Sequence, residues 1–215
     1  MPNSHDRRAF LTALASLTGV ATTAAPALAQ GQAAAASSGR FDLAWLDQLK
    51  GRHKQVYDLG AADLAEDARV LRFPRNFLDT FRDELHLESP DVNTIVGISN
   101  VAFPINATDR LWAKYKLGER ATIIDPATKQ PAVRNIFYEG GDISVKTLQA
   151  RGTIFWQCNI ALGSVAQRLA TSMQLPVADV RADLAAGLNP GVRVMPSHVM
   201  ALALAQERGF TYMKP

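Results

Sequence analysis

Short apolar runs of strand length alternate along this chain with stretches whose apolar residues recur at helical spacing. Runs of the first kind lie at 93–102, 153–157 and 192–195, and helical spacing is clear over 73–87. Strands separated by helices of roughly 10–15 residues indicate βαβ units. The sequence therefore predicts an α/β fold with a mainly parallel sheet and helices on both faces, flavodoxin-like in a loose sense. No internal repeat is present.

Weaker local signals supply the other elements. A loop is predicted over 126–138, which has two prolines and no clear period. The remaining predictions are a first strand at 53–59, a helix at 107–117, a short strand or edge segment at 122–125, a helix at 142–151 capped by Asp142, a helix at 160–173, a helix at 176–187, a helix from the Ser197 cap to 206, and a last strand at 210–213.

The amino end resembles an export signal. Arg7 and Arg8 form a twin-arginine pair, a weakly apolar stretch runs from Leu11 to about residue 25, and 27–29 reads Ala-Leu-Ala, a small-x-small cleavage site. The apolar stretch is shorter than the ~20 residues that span a bilayer. We expect a signal peptide over 1–29 and a periplasmic mature protein without a membrane span. The alternative is an amphipathic amino-terminal helix.

Composition then divides the rest of the chain. Residues 30–39 are rich in Ala, Ser, Gly and Gln and read as a flexible tether, and 40–215 has the length of a single domain. Cleavage removes Asp6, Arg7 and Arg8, which takes the formal charge from +3 to +2. Because no basic cluster alternates with aromatic residues, the sequence predicts no nucleic-acid partner.

Cys158 is the only cysteine, and it lies where an apolar strand ends and a helix begins. Open α/β folds place ligands and reactive groups at such junctions, and the unpaired N–H groups and positive dipole end of a helix favour a thiolate. A sole cysteine excludes an intramolecular disulfide and a Cys-rich zinc site. Packing as a small hydrophobic residue, pairing between chains, and chemistry all remain open.

Four polar residues are expected at the same edge of the sheet as Cys158. Asn100 ends the second predicted strand, Asn159 either caps the following helix or orients a ligand, and Ser197 precedes the last long helix. His198 begins that helix, where a neutral imidazole close to the thiol would take its proton; the alternative is a partly exposed helix residue. Trp112, Tyr115 and Trp156 are expected to be core or subunit contacts.

Several enzyme motifs are missing from the sequence. It has no Gly-x-Gly-x-x-Gly after a strand, no phosphate-binding Gly-Lys-Ser/Thr loop, no Gly-x-Ser-x-Gly elbow and no His-Glu-x-x-His. Dinucleotide, ATP, serine-hydrolase and zincin activities are therefore not expected, and neither a metal site nor a cofactor is predicted.

The carboxyl half resembles the DsrE/DsrF-like family of sulfur-relay proteins. The resemblance covers 141–215 and rests on 152–159 (GTIFWQCN), 188–197 (LNPGVRVMPS) and the closing 205–215 (AQERGFTYMKP), which has the family's helix, Gly, aromatic, Tyr, x, Lys-Pro ending. It implies a compact α/β domain that assembles into oligomers. In the sulfur-transferring members a cysteine at this sheet edge carries sulfur as a persulfide, and the matching position is Cys158.

The resemblance therefore implies an exported homo-oligomer that binds or relays sulfane sulfur through Cys158, with a sulfur donor or acceptor protein as partner. Lining groups would be Asn159, Asn100, Ser197 and His198. Two rival hypotheses stand beside this one. The first is a noncatalytic module that binds a small molecule or a partner and has a structural cysteine. The second is a redox sensor whose Cys158 pairs across subunits.

Overall fold

A computed structural model describes residues 41–65 and 69–215, so the predicted signal peptide and tether lie outside the described residues. Five strands form one sheet in which every neighbouring pair is parallel, in the order β4-β3-β2-β1-β5. The strands are β1 (His53–Asp58), β2 (Val92–Ile98), β3 (Ile154–Cys158), β4 (Arg193–Met195) and β5 (Thr211–Met213). The predicted α/β fold with a parallel sheet is confirmed.

The described ranges also contain seven α-helices and two 3₁₀-helices, of which the first 3₁₀-helix precedes β1 and the others connect strands. The 3₁₀-helices are Ala44–Gln48 and Asn100–Asn106. The α-helices are α1 (Arg72–Leu85), α2 (Asp109–Tyr115), α3 (Leu117–Arg120), α4 (Val145–Ala150), α5 (Asn159–Met173), α6 (Val177–Ala186) and α7 (His198–Glu207). No described helix combines the length and the apolar character needed to cross a membrane.

Strand order determines which face each helix covers. The chain steps from β1 to β4 in one direction, and right-handed crossovers then place the intervening helices on a single face. The return from β4 to β5, on the far side of β1, carries α7 across the opposite face. Helices therefore cover both faces, as the sequence predicts.

The two faces bury cores of unequal size. Alternate residues of the central strands point in opposite directions, so Tyr57 and Phe155 enter the larger core under α1 to α6. Val56, Ile95 and Trp156 enter the smaller core, which α7 and the first 3₁₀-helix close. Trp112, Tyr115 and Trp156 are buried, as expected.

The segment 122–125, predicted to be a short strand or edge segment, does not form a strand of the sheet. Thr122 has a φ of 53°, and Pro126 follows directly, so the segment turns instead of joining the sheet. It keeps a single antiparallel bridge, between Ile124 and Pro131. The second strand also ends earlier than predicted, at Ile98, because the chain turns into a 3₁₀-helix at Asn100, where φ is 39°.

The predicted helix cap at Asp142 is also wrong. Ser144 caps α4, since its Oγ accepts a hydrogen bond from the Thr147 N–H at 3.2 Å. Asp142 instead lies 2.8 Å from Arg75 Nη1 on α1. Serine and aspartate are both favoured caps, so only the position where the helix begins distinguishes them.

The 126–138 loop is held against the body of the domain by Asn135, which is 6% exposed. Its Nδ2 lies 2.6–3.3 Å from the carbonyl oxygens of Pro104, Ile105 and Ala107. Its Oδ1 accepts the Phe137 N–H at 2.8 Å. The Pro104 carbonyl also accepts the Trp112 indole N–H, and the Ile105 carbonyl also accepts Asn189 Nδ2, so Asn135 matters most for the buried Ala107 carbonyl and Phe137 N–H.

Replacing Asn135 with alanine should lower the free energy of unfolding by about 2–4 kcal/mol, because buried carbonyl and N–H groups lose their partner. Urea unfolding measures this as a lower midpoint at an unchanged slope. Asn76→Ala, on the exposed side of α1, is the matched control and should change stability by no more than about 0.5 kcal/mol. A similar effect of both variants would contradict the anchoring role of Asn135.

Candidate functional site

Three residues lie side by side across β1, β2 and β3 near the carboxyl ends of these strands. Asp58 pairs in register with Gly97, and Gly97 pairs with Trp156. Strand alternation places this row on the α7 face together with Val56 and Ile95. Gly97 leaves a gap between its two neighbours, because a Cβ there would lie 2.6 Å from the Trp156 ring and 2.9 Å from His198 Cε1.

His198, the first residue of α7, fills the gap above Gly97 and is 9% exposed. Trp156 Nε1 lies 3.2 Å from His198 Nδ1, and His198 Nε2 lies 2.7 Å from Asp58 Oδ1. Because an indole N–H can only donate, Nδ1 accepts, and the hydrogen-bond pattern assigns the ring proton to Nε2, which donates to Asp58. The ring therefore bridges β3 and β1.

The Asp58 carboxylate accepts three hydrogen bonds. Its Oδ1 accepts the Gly60 N–H at 2.8 Å and His198 Nε2–H, and its Oδ2 accepts the Tyr212 hydroxyl at 2.8 Å. Burial raises the pKa of Asp58, but these donors outweigh it, and the pKa lies below its usual value. The same contact with a carboxylate raises the pKa of Tyr212. Asp58 is thus charged at neutral pH.

Cys158 ends β3 and caps α5 with its own sulfur. Its Sγ accepts the Ala161 N–H at 3.3 Å and the backbone N–H of His198 at 3.3 Å, and the residue is 4% exposed. These donors come from the amino ends of α5 and α7. Two N–H groups and two positive dipole ends therefore converge on one sulfur atom, an arrangement that stabilises negative charge there.

The topology explains this convergence. Neighbouring strands β3 and β4 send their helices, α5 and α7, to opposite faces of the sheet. Open α/β sheets form a crevice at the carboxyl ends of strands where such a switch occurs. Cys158 lies at this point, paired in register with Met195 of β4.

A crevice of about 560 Å³ opens at this switch point. Of the residues predicted from the sequence, Cys158, Asn100, Ser197 and His198 all line it. Further lining residues come from the same strand ends, from α5 and from α7: Asp58, Gly60, Ala61, Ser99, Ile160, Ala161, Ser164, Arg168 and Val199. The sequence order of the strands therefore brings four of the five predicted site residues to one crevice.

The fifth, Asn159, is not among the lining residues. Its Oδ1 accepts a hydrogen bond from Arg181 Nη2 of α6 at 2.8 Å. The structure also corrects the prediction that Asn159 caps the helix. Because α5 begins at Asn159 rather than at Ile160, the cap position moves to Cys158. Ser197, in contrast, caps α7 as predicted, accepting the Met200 N–H at 3.2 Å.

The structure does not bring the His198 ring to the thiol as a base. Both ring nitrogens have other partners, Trp156 and Asp58, and the group that contacts Sγ is the backbone N–H. The histidine thus differs both from the predicted proton acceptor and from the predicted partly exposed helix residue. Its position depends on Gly97, which the sequence shows only as a small residue in an apolar run.

Sequence reasoning missed Asp58 and Arg168. Asp58 is the polar residue near the end of the predicted first strand, a position that could have marked it for the carboxyl edge. Arg168 lies in the middle of α5, and its Nη2 donates to Asn100 Oδ1 at 3.1 Å. No pattern in the sequence distinguishes it from other helix-surface arginines. Across 41–65 and 69–215, no group of three His, Cys, Asp or Glu side chains is placed to hold a metal ion.

Comparison with known proteins adds no argument about this chain. No protein-family model matches the chain, and no curated protein matches it. A solved structure of a protein of unknown function from Methanobacterium thermoautotrophicum is similar at a TM-score of 0.41 and 17% identity, over 76% of this chain and 99% of that one. A likeness at this level indicates nothing about function.

Replacing Asp58 with asparagine should lower the free energy of unfolding by about 1–2 kcal/mol at pH 7, because charge-assisted hydrogen bonds become neutral or are lost. Folding lowers the pKa of Asp58, so its contribution is complete above the ordinary carboxyl value of about 3.9 and is lost as the pH falls through the folded-state value. The difference between wild type and variant should therefore be constant from pH 7 to pH 5 and shrink towards pH 3.

Urea unfolding at each pH measures this difference. Asp91→Asn, at an exposed aspartate, is the matched control and should differ little from wild type at any of these pH values. A Tyr212→Phe variant, which removes one of the three donors, should show a smaller loss than Asp58→Asn. A loss that is the same at pH 3 as at pH 7 would contradict the role assigned to the Asp58 charge.

Proposed function

We propose that this protein carries sulfane sulfur on Cys158 and that it is an exported member of the DsrE/DsrF-like family. In the proposed step, the Cys158 thiolate attacks the outer sulfur of a persulfide R–S–SH. The products are Cys158–S–SH and the thiolate R–S⁻, so one sulfur atom and its proton move and no external oxidant is needed. Attack by an acceptor thiolate on the outer sulfur then returns Cys158 as a thiolate.

The observation that carries this proposal is the surroundings of Cys158 Sγ. It accepts backbone N–H groups from two helix amino ends and borders a crevice of about 560 Å³. Hydrogen bonds of this kind favour an anionic sulfur. The proposed step requires that anion twice, when Cys158 attacks the donor and when it leaves as the acceptor takes the outer sulfur. The crevice leaves room for a donor or acceptor sulfur beside it.

Within this proposal the lining residues have separate roles. Ser197 and His198 position the amino end of α7, and the His198 N–H stabilises the sulfur. Asn100 together with Arg168 faces the incoming group. Asn159 acts at most indirectly, through the start of α5. The His198 ring is a positioning group and not the base.

The crevice also has an apolar rim that suits a protein partner. Four large apolar residues are exposed at the same edge of the sheet: Ile160, Val199, Val101 and Met200. Sulfur passed between proteins requires direct contact at the cysteine, and exposed apolar residues around a site favour such contact. We propose that the protein that supplies or receives the sulfur covers this rim during transfer.

The second candidate function is a binding module whose cysteine is structural. The specific observation in its favour is that Cys158 is 4% exposed and caps α5, so packing and capping account for it without chemistry. A cross-subunit disulfide has less support, since it would require two sulfur atoms about 2.05 Å apart and the sulfur is almost fully covered.

Incubating the purified protein with glutathione persulfide should add one sulfur atom, which dithiothreitol removes. Intact-mass spectrometry measures the addition. Cys158→Ser is the matched variant, because its hydroxyl oxygen keeps a cap acceptor for the Ala161 N–H while the sulfur is gone, and it should gain nothing. Cys158→Ala should also gain nothing and should in addition lose about 1 kcal/mol of stability as the cap is removed.

Absence of the adduct would favour the structural cysteine, provided that alkylation of the folded protein is much slower than that of the unfolded chain. A sulfur adduct that persists in Cys158→Ser would place the chemistry elsewhere and contradict the proposal.

Export is tested separately from sulfur chemistry. Replacing Arg7 and Arg8 with lysine should retain the protein in the cytoplasm, because the paired arginines are the feature by which the route is recognised. Cell fractionation locates the protein, and the intact mass of the periplasmic form should correspond to a chain that begins at Gln30. An uncut wild-type chain in the cytoplasm would instead support the amphipathic-helix alternative.

A further inference from the structure

A second cavity, of about 620 Å³, lies beside the Cys158 crevice. Its walls come from the loop after β1, the second 3₁₀-helix, α3 and α5. The walls are mostly apolar and include Phe103, Pro104, Leu117, Val165 and Leu169. Ligand sites in proteins commonly have this character, with volumes of roughly 300–1,000 Å³ and a few polar groups on largely apolar walls.

Two guanidinium groups supply the polar part of this cavity. Arg168 donates to Asn100 Oδ1 at 3.1 Å, and Arg120 Nε donates to the Tyr115 carbonyl oxygen at 2.9 Å. A guanidinium has five N–H donors, and among the described residues each of these two makes one hydrogen bond. Most of the donors at the cavity are thus available to a ligand.

The cavity is also cationic. Among the described residues that line it, Asp63 is the one acidic residue, against the two arginines, and its Oδ1 accepts the Ala65 N–H at 2.9 Å. An anionic group is therefore favoured at this end, where the planar donors of arginine match the two oxygens of a carboxylate. The apolar walls favour a hydrocarbon body attached to that group.

We infer that this cavity binds a small organic acid whose apolar body lies against Phe103, Val165 and Leu169 and whose carboxylate pairs with Arg168 and Arg120. A small inorganic anion would leave the apolar wall facing water. A neutral apolar molecule would leave most of the guanidinium donors to water, since both arginines are exposed. Only a molecule with both parts uses both features of the cavity.

This binding site does not depend on the proposed sulfur chemistry. The cavity and the Cys158 crevice share Ala61, Asn100 and Arg168, so an acid held at Arg168 lies at the border of the crevice. Cys158 itself does not line the cavity. A Cys158→Ser variant should therefore bind the acid as wild type does, and the two proposals succeed or fail separately.

The test is a titration of the ¹⁵N-labelled protein with hexanoate, in which the amide chemical shifts are measured at each concentration. Saturable shifts are expected around Phe103, Leu117 and Val165. Acetate has the charge without the body, and hexanol has the body without the charge. Each should bind at least about tenfold more weakly than hexanoate, because one charge-assisted hydrogen-bonded contact or a few buried methylene groups account for a factor of this size.

Variants assign the carboxylate to its partners. Arg168→Met should raise the dissociation constant for hexanoate about tenfold. Arg168→Lys keeps the charge but loses the planar guanidinium, so its dissociation constant should lie between those of wild type and Arg168→Met. Arg134→Met is the matched control at an exposed arginine outside both spaces and should leave the constant unchanged. The amide spectrum of each variant shows whether it remains folded.

Three results would overturn the inference. The first is the absence of saturable shifts at tens of millimolar hexanoate in wild type. The second is hexanol or acetate binding as tightly as hexanoate. The third is an equal loss of hexanoate binding in Arg168→Met and Arg134→Met.

Discussion

The arrangement of this site depends on one imidazole held in a gap. Gly97 is the only member of its row without a side chain, and His198 occupies the space that results, bonded to Trp156 on one side and to Asp58 on the other. That contact places the amino end of α7, and with it the backbone N–H that reaches Cys158. The hydroxyl of Tyr212 on β5 donates to the other oxygen of the same carboxylate. Strands β1, β2 and β3, helix α7 and the thiol are thus coupled through His198.

The position of the cysteine follows from topology rather than from any motif. Helices α5 and α7 leave adjacent strands towards opposite faces, and their amino ends meet at the carboxyl edge of the sheet. The Cys158 sulfur accepts a hydrogen bond from each helix end. The same two contacts suit a structural cap and the proposed thiolate alike, so burial of the sulfur does not distinguish the two functions. The crevice beside it is the feature that favours chemistry.

Two spaces of similar size meet at Arg168. One is bordered by the thiol, and the other has apolar walls and a second arginine, Arg120. Because Arg168 donates to Asn100, the start of the second 3₁₀-helix and the middle of α5 form the boundary between them. A ligand anchored at this guanidinium would be presented to the crevice, so binding of an organic anion and chemistry at sulfur are compatible within one domain.

The sequence by itself determined the class of fold, because strand and helix periods are local and alternate clearly from 93 onward. It also determined that Cys158, Asn100, Ser197 and His198 share an edge, since parallel strands end on the same side of a sheet. Only the tertiary structure decided that the His198 ring faces Asp58 and Trp156, because that depends on the register that aligns Gly97 between them. Asn159 is not at the cap position because α5 begins one residue earlier than predicted. Local propensity does not define a helix boundary to a single residue. Arg168 belongs to the site because of tertiary packing, and the spacing of apolar residues in the sequence does not predict that position.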